Sequence, residues 1–299
     1  MIGEPRPRWP MRAVRGLGAI TIGAIMATGM VVPAHARPND SDIPRPPRYV
    51  ALGDSYASGE GGSSYWPGTD TPGVNECHRS PDAYPEQLAR RLGMQPVHVV
   101  ACSRATIDSM AKPAWSDQAS QLEALNSNVE LVTVTIGGNE ADLEKTLKTC
   151  LLSRCSPGTP VYERTMELFE SAQFKQRLTE LYQTILERAP NARVAVVPYP
   201  IIIKGRPVCT VLGHKDDKAV EAMITALNDS IYDVVHEVNS PRLIASSAPV
   251  IDPCSRQGAI NWLPTPDNLR HPTNLAHPKF EGHKMIADRV AEALYPSAA

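Results

Sequence analysis

The amino-acid sequence predicts an α/β fold in which a parallel sheet of five strands is covered by helices on both faces. The main observation is an alternation. Short apolar runs, several of them β-branched, alternate along the chain with segments of helical periodicity, the pattern of a parallel sheet with crossover helices. A second observation is the loop-forming content. With 28 Pro and 19 Gly in 299 residues, the chain reads as globular with long structured loops and not as a helical bundle.

The elements follow in order. Tyr49–Leu52 is a short apolar run that stops at Gly53, a strand ending in a turn. Pro81–Leu92 has helical spacing at Tyr84, Leu88 and Leu92, with Ser80 or Asp82 available as N-cap. Val97–Ala101 is the second strand. Val129–Ile136 is the third and ends abruptly at Gly137-Gly138-Asn139. Helices are expected over Glu140–Thr149 and Val161–Ala189, split by the Cys150–Cys155 loop. Arg193–Val197 is the fourth strand, Asp216–Val238 a helix, and Leu243–Ile251 holds the fifth strand. Lys279–Leu294 closes the chain with a helical stripe of Phe280, Met285, Ile286, Val290 and Leu294. No repeat or interdomain linker follows residue 46, so residues 47–299 read as one domain.

The amino-terminal end reads differently. Arg6, Arg8, Arg12 and Arg15 precede an apolar run from Gly16 to Val32, and Ala34-His35-Ala36 supplies a small-x-small cleavage pattern. Residues 1–36 are therefore expected to be a signal peptide and residues 37–46 a short Pro- and Asp-rich linker. A single membrane anchor is the competing reading, but the run lies at the lower limit for a bilayer span. Removing its four Arg and one Glu from a chain of formal charge −2 leaves −5. That balance excludes a strongly basic nucleic-acid binder, and the 42% apolar content excludes a disordered chain. The mature protein is expected to be secreted, with no stable membrane span.

All six cysteines (Cys77, Cys102, Cys150, Cys155, Cys209 and Cys254) follow the cleavage pattern. An even number in an oxidising compartment points to disulfides, with 15 pairings open. Zinc is disfavoured, because only Cys150 and Cys155 lie close together. His271, His277 and His283 recur at six-residue intervals, about 240° around a helix, so helical geometry does not converge them. Neither a metal nor a cofactor is expected.

Reactive groups in open parallel sheets collect beyond the carboxyl ends of the strands. Three such ends carry polar signatures: Gly53-Asp54-Ser55, Cys102-Ser103-Arg104 and Gly138-Asn139. A fourth signature, His277-Pro278-Lys279-Phe280-Glu281-Gly282-His283, opens the last helix. A serine at a strand-to-helix turn offers its hydroxyl to the crevice and its N–H to a forming oxyanion. An Asn amide adds a donor, and a His can take the serine's proton. These are the parts of an acyl-transfer site. The Gly59-Glu60-Gly61-Gly62 stretch lacks both the P-loop Lys and the dinucleotide spacing, and reads as a loop beside the site.

Gly53-Asp54-Ser55, Gly138-Asn139 and His277-Pro278 together resemble the SGNH/GDSL hydrolase family. Tyr49–Gly62, Cys77-His78-Arg79-Ser80-Pro81 with Tyr84-Pro85, and Ala101-Cys102-Ser103 resemble its secreted bacterial lipase/esterase branch, over residues 49–295. The resemblance implies a three-layer α/β/α sandwich with a flavodoxin-like sheet, and hydrolysis of carboxylic esters, lipid esters included. It implies Ser55 as nucleophile and His277 as base. The oxyanion donors would be the Ser55 N–H, the Asn139 amide and a backbone N–H at Arg104. It further implies the bridges Cys77–Cys102, Cys150–Cys155 and Cys209–Cys254.

The chain departs from the family pattern at three places. Arg104 stands where the second block normally has Gly, and Glu140 follows Asn139 where Asp is usual. The acid expected three residues before His277 is Asn274, so the third triad position is open between Asp267, Asn274 and a backbone carbonyl. His271, which also precedes a Pro, competes with His277, but Gly282-His283 and the apolar helix behind them fit the His277 register. Arg104 and Asn274 motivate the rival reading, an SGNH-fold lipid- or glycan-binding protein of weak or no activity.

Overall fold

The computed structural model describes residues 47–152, 155–202, 214–253, 258–261 and 272–296, all within one compact unit that begins at Arg45. Residues 1–46, where the signal peptide and linker are expected, and His271, Asp267, Cys209 and Cys254 lie outside the described residues. Five strands form the central sheet: β1 (Tyr49–Gly53), β2 (Val97–Val99), β3 (Leu131–Thr135), β4 (Arg193–Val196) and β6 (Leu243–Ala245). Their order is β2-β1-β3-β4-β6, and every pairing is parallel. The chain starts in the sheet interior, adds one strand outward, then reverses to build the other half. The reversal leaves a crevice between the carboxyl ends of β1 and β3, the switch point where such sheets bind ligands.

Alternation along β1 sends its side chains into two separate cores. Tyr49 and Ala51 pack with Tyr84 and Leu88 of α2 (Tyr84–Leu92) and with Ile286 and Val290 of the last helix, α7 (Phe280–Leu294). Val50 and Leu52 face the other way, into a larger core. That core is closed by α3 (Leu143–Leu152), α4 (Pro160–Glu170), α5 (Ala172–Arg188) and α6 (His214–Val238). All five residues of β1 and of β3 are buried. Each large apolar side chain so buried contributes about 1.5–3 kcal/mol. The polar atoms that this burial traps are paired: Tyr49 Oη with Thr133 Oγ1 at 2.9 Å, and Tyr84 Oη with Thr135 Oγ1 at 3.0 Å.

Three expected boundaries differ. The segment Val161–Ala189 is two helices, because Ser171 leaves the helical conformation and caps α5 by accepting the Phe174 N–H at 3.2 Å. Leu243–Ile251 is also split: β6 ends before Ser246, and β7 (Val250–Ile251) pairs with β5 (Ile201–Ile202) in a separate two-stranded sheet. Pro81–Ala83 precede the helix instead of opening it. Among the described residues no helix is long and apolar enough to cross a membrane.

Candidate active site

The nucleophile turn is set by Gly53. Its φ is +132°, and a Cβ there would stand 2.2 Å from the Thr135 carbonyl oxygen, so only glycine fits the last position of β1. The side-chain amide of Gln121 accepts the Gly53 N–H at 2.8 Å and donates to its carbonyl at 2.9 Å, supplying the edge that the turn leaves unpaired. Asp54 then caps the single-turn helix α1 (Ser55–Ser58), its carboxylate accepting the Tyr56 N–H at 3.0 Å. Ser55 thus stands at the first helical position, over the crevice.

His277 reaches the same point from the far end of the chain. Its loop is anchored by Asn261, which donates its backbone N–H to the His277 carbonyl at 2.9 Å and accepts the Ala276 N–H at 2.7 Å. Tyr56 Oη donates to the Ala276 carbonyl at 2.6 Å, and the Tyr56 and His277 rings lie 5.2 Å apart. The outcome is a contact of 2.7 Å between His277 Nε2 and Ser55 Oγ, with His277 2% exposed. The other ring nitrogen, Nδ1, is buried and has no hydrogen-bond partner among the described residues. Asn274 does not serve it: its side-chain oxygen accepts from Tyr65 Oη at 3.0 Å, and its backbone carbonyl accepts the N–H of His277 at 3.0 Å.

On the β3 side, Gly138 packs against Tyr199, where a Cβ would meet the ring at 3.1 Å. Tyr199 Oη accepts the Gly138 N–H at 2.9 Å and donates to the Asp54 carboxylate, so one phenol ties the turn after β3 to the turn after β1. Asn139 lines the cleft and donates its side-chain amide to the Ala105 carbonyl at 2.9 Å, which spends one of its two N–H bonds and fixes its plane. Arg104, from the loop after β2, has φ +66°, the conformation that the family glycine would adopt freely, at roughly 1–2 kcal/mol for a residue with a Cβ. Its side chain is exposed. The backbone N–H groups of Ser55 and Arg104 have no protein acceptor among the described residues. Glu140, which follows Asn139, accepts the Ile107 N–H at 2.7 Å and lies 3.3 Å from Arg177.

Behind Ser55 a second cluster was legible only as a glycine-rich loop. Glu60 is 2% exposed, and its N–H donates to the Ser55 carbonyl at 3.1 Å. Its carboxylate accepts from Ser103 Oγ at 2.6 Å and lies 3.1 Å from His78 Nδ1, which is out of line for a good hydrogen bond, so that contact is chiefly ionic. His78 Nε2 lies 3.3 Å from Asp70. The Cys77–Cys102 disulfide joins the same loop to the end of β2. Cys150 and Cys155 are also bridged, across the end of α3.

Electrostatics divide the buried groups. Burial pushes the Asp54 carboxyl up to about 7, against the hydrogen bonds from Tyr199 and Tyr56. Burial would raise Glu60 too, but its interactions with the His277 and His78 rings and the bond from Ser103 bring it down to about 2. His78 is raised, its desolvation outweighed by Glu60 and Asp70. His283, wholly buried beside His277, is pushed down to about 3 by burial and by that neighbouring ring, so it is neutral. A small pocket under Ser55, about 20 Å³, is walled by Leu143, Leu147, Tyr56 and Tyr199. An open groove of about 540 Å³ adjoins it through Asn139 and runs past Arg104, Asp142 and Lys145. Among the described residues no three His, Cys, Asp or Glu side chains converge on a metal-sized site.

A parallel sheet of this order, with a serine–histidine contact at its switch point and N–H donors unpaired among the described residues beside it, defines a three-layer α/β/α acyl-transfer architecture. The profile of the GDSL-like lipase/acylhydrolase family matches residues 51–285, and the chain belongs to that family. It is 31% identical over 218 residues to Lipase 1 of Streptomyces coelicolor, covering 73% of this chain and 75% of that protein. Two crystal structures superpose with 26% identity and coverage of 82% of this chain and 97% of theirs. They are phospholipase A1 from Streptomyces albidoflavus (TM-score 0.65) and an extracellular lipase from Streptomyces rimosus (TM-score 0.64). The chain is accordingly a carboxylic ester hydrolase of the lipase/esterase kind.

Proposed function

We propose that the protein is a secreted lipase or esterase in which Ser55 attacks the ester carbonyl and His277 moves the proton. The observation that carries this reading is the 2.7 Å contact between His277 Nε2 and Ser55 Oγ. As Oγ bonds to the carbonyl carbon, Nε2 takes its proton. The carbonyl oxygen becomes an oxyanion held by the Ser55 N–H, the Asn139 amide and the Arg104 N–H. Collapse expels the alcohol, which leaves with the proton that Nε2 returns. Water then repeats the sequence on the acyl-enzyme, releasing the acid and restoring Ser55.

Among the described residues Nδ1 has no carboxylate partner and Asn274 does not complete a triad, so Ser55 and His277 carry the proton transfer in this reading. The open groove beyond Asn139 has the room for the acyl chain of a lipid ester, which the small pocket under Ser55 lacks. Lipid esters are the proposed substrate class, in keeping with the lipase and phospholipase names of the relatives. Secretion after loss of residues 1–36 is supported by the charged-then-apolar leader, by two disulfides, and by the extracellular relative.

The test is hydrolysis of a panel of p-nitrophenyl and glycerolipid esters by the mature chain and by Ser55→Ala and His277→Ala. Turnover of acyl esters that vanishes in both variants supports the assignment. Undiminished turnover in folded Ser55→Ala refutes it.

A further inference from the structure

We propose that Glu60 is the positioning charge for His277: a buried carboxylate, held in the loop that packs against the His277 backbone, that stabilises the imidazolium through space. This rests on the serine–histidine reading above and deepens it.

The geometry comes first. Glu60 follows α1 directly, and its N–H donates to the Ser55 carbonyl. The next residue, Gly61, lies so close to His277 that a Cβ at Gly61 would stand 2.9 Å from the His277 Cβ. Asn261 clamps the two segments together, its side-chain amide donating to the Gly61 carbonyl at 3.1 Å and to the His277 carbonyl at 3.2 Å. Glu60 is therefore carried by the loop against which the histidine is packed. Its carboxylate is fixed by Ser103 Oγ at 2.6 Å and by His78. Meanwhile the Nδ1 side of the imidazole, where a triad acid would bond, is buried without a partner among the described residues. An imidazolium formed there needs a counter-charge that does not depend on a direct hydrogen bond.

Among the described residues, the other ionisable groups around the ring do not supply it. Asp54 lines the same pocket but is engaged by Tyr199 and raised to about 7, so its negative charge is weak at neutral pH and below. Glu144 of α3 lines the pocket from the half-exposed side, where water screens it. From α7, His283 is neutral. Tyr56 and Tyr199 are raised far from neutrality by burial and stay uncharged. His78, whose imidazole is raised, sits on Glu60 itself. Glu60, its carboxyl held near 2, is ionised throughout the working range of a histidine base.

The readout is the acid limb of the kcat/KM profile, which reports the proton on the general base. Glu60→Gln keeps the shape and removes the negative charge, so the imidazolium is less favoured and the limb moves to lower pH. The expected shift is about one pH unit, with a loss of about tenfold in plateau kcat/KM. His78→Gln removes the neighbouring cation, and the limb moves the opposite way, to higher pH. A merely structural role for the cluster would not give shifts of opposite sign. Limbs that stay in place, or that move together, overturn the proposal. If Glu60→Gln does not fold, the His78→Gln limb decides alone: an upward shift supports it and an unmoved limb overturns it. Ser55→Ala, run alongside, separates the two readings. An inactive Ser55→Ala with unmoved limbs sinks only the role of Glu60, whereas a folded and active one removes the serine–histidine reading and this inference with it.

Discussion

Two carboxylates flank Ser55, five residues apart along the chain in one direction and one in the other, and the protein treats them in opposite ways. Asp54 is 1% exposed and Glu60 is 2% exposed, so burial does not distinguish them. Asp54 is met by a phenol and a backbone N–H, both neutral, and its carboxyl rises to about 7. Glu60 is met by a hydroxyl and by the raised imidazole of His78, and falls to about 2. A buried acid follows its counter-charge and not its depth. On the Asp54 side the protein builds a neutral floor that fixes the turns after β1 and β3. On the Glu60 side it builds a charged wall behind the histidine.

The largest effects are expected where both sides serve the same step. Ser55→Ala and His277→Ala should each lower kcat by roughly 10³–10⁶, and the double variant should lose little more, because the pair acts as one unit. Additive losses in steady-state kcat would mean that the two residues do not share a proton transfer. On the floor, Asn139→Ala removes an oxyanion donor and should cost about 10²–10³ in kcat with KM nearly constant. A change confined to KM would move Asn139 from the transition state to ground-state binding.

Stability sharpens the comparison further. Asp54, raised in the folded state, contributes stability that is present below the ordinary carboxylate range and lost as pH rises through about 7. Asp54→Asn should therefore gain stability relative to wild type between pH 4 and pH 8. Glu60, depressed in the folded state, contributes stability present above its unfolded value and lost as pH falls toward about 2. Glu60→Gln should be destabilised by about 1–3 kcal/mol at neutral pH, with the deficit shrinking in acid. Denaturant titrations across pH check both, and slopes of the same sign would erase the distinction. On the wall, replacing Cys77 and Cys102 by Ala should cost about 2–4 kcal/mol. The smallest effect is at Arg104, which faces the open groove. Arg104→Gly should relieve the positive φ and reduce any preference for anionic over neutral esters. Equal kcat/KM ratios for matched esters in both proteins would place the side chain outside the substrate path.

The sequence was most informative where chemistry is local. Gly53-Asp54-Ser55 and Gly138-Asn139 sit directly at strand ends, and the structure brings Ser55, Asn139 and His277 to one cleft. The parallel sheet was legible from the alternation of βα units, and the family resemblance implied its flavodoxin-like form. What could not be read were partners joined only by tertiary packing. Tyr199 meets Asp54 across 145 residues, and Gln121 meets Gly53 across 68, with no periodic signal linking either pair. Glu60 and His78 looked like parts of separate loops, because their pairing depends on the fold of the segment between them. The split of Val161–Ala189 was hidden for a different reason. Apolar spacing continues across Ser171, and no Gly or Pro marks the break. Leu243–Ile251 did carry its warning, since Pro249 cannot continue a central ladder.

The central claim is that Ser55 is activated by His277, and the most direct measurement is intact-mass analysis after a fluorophosphonate probe, with the adduct mapped by peptide sequencing. The account predicts one adduct per chain, on Ser55, formed far more slowly in His277→Ala and absent in Ser55→Ala. An adduct on another residue, or none on folded wild-type protein, would contradict it.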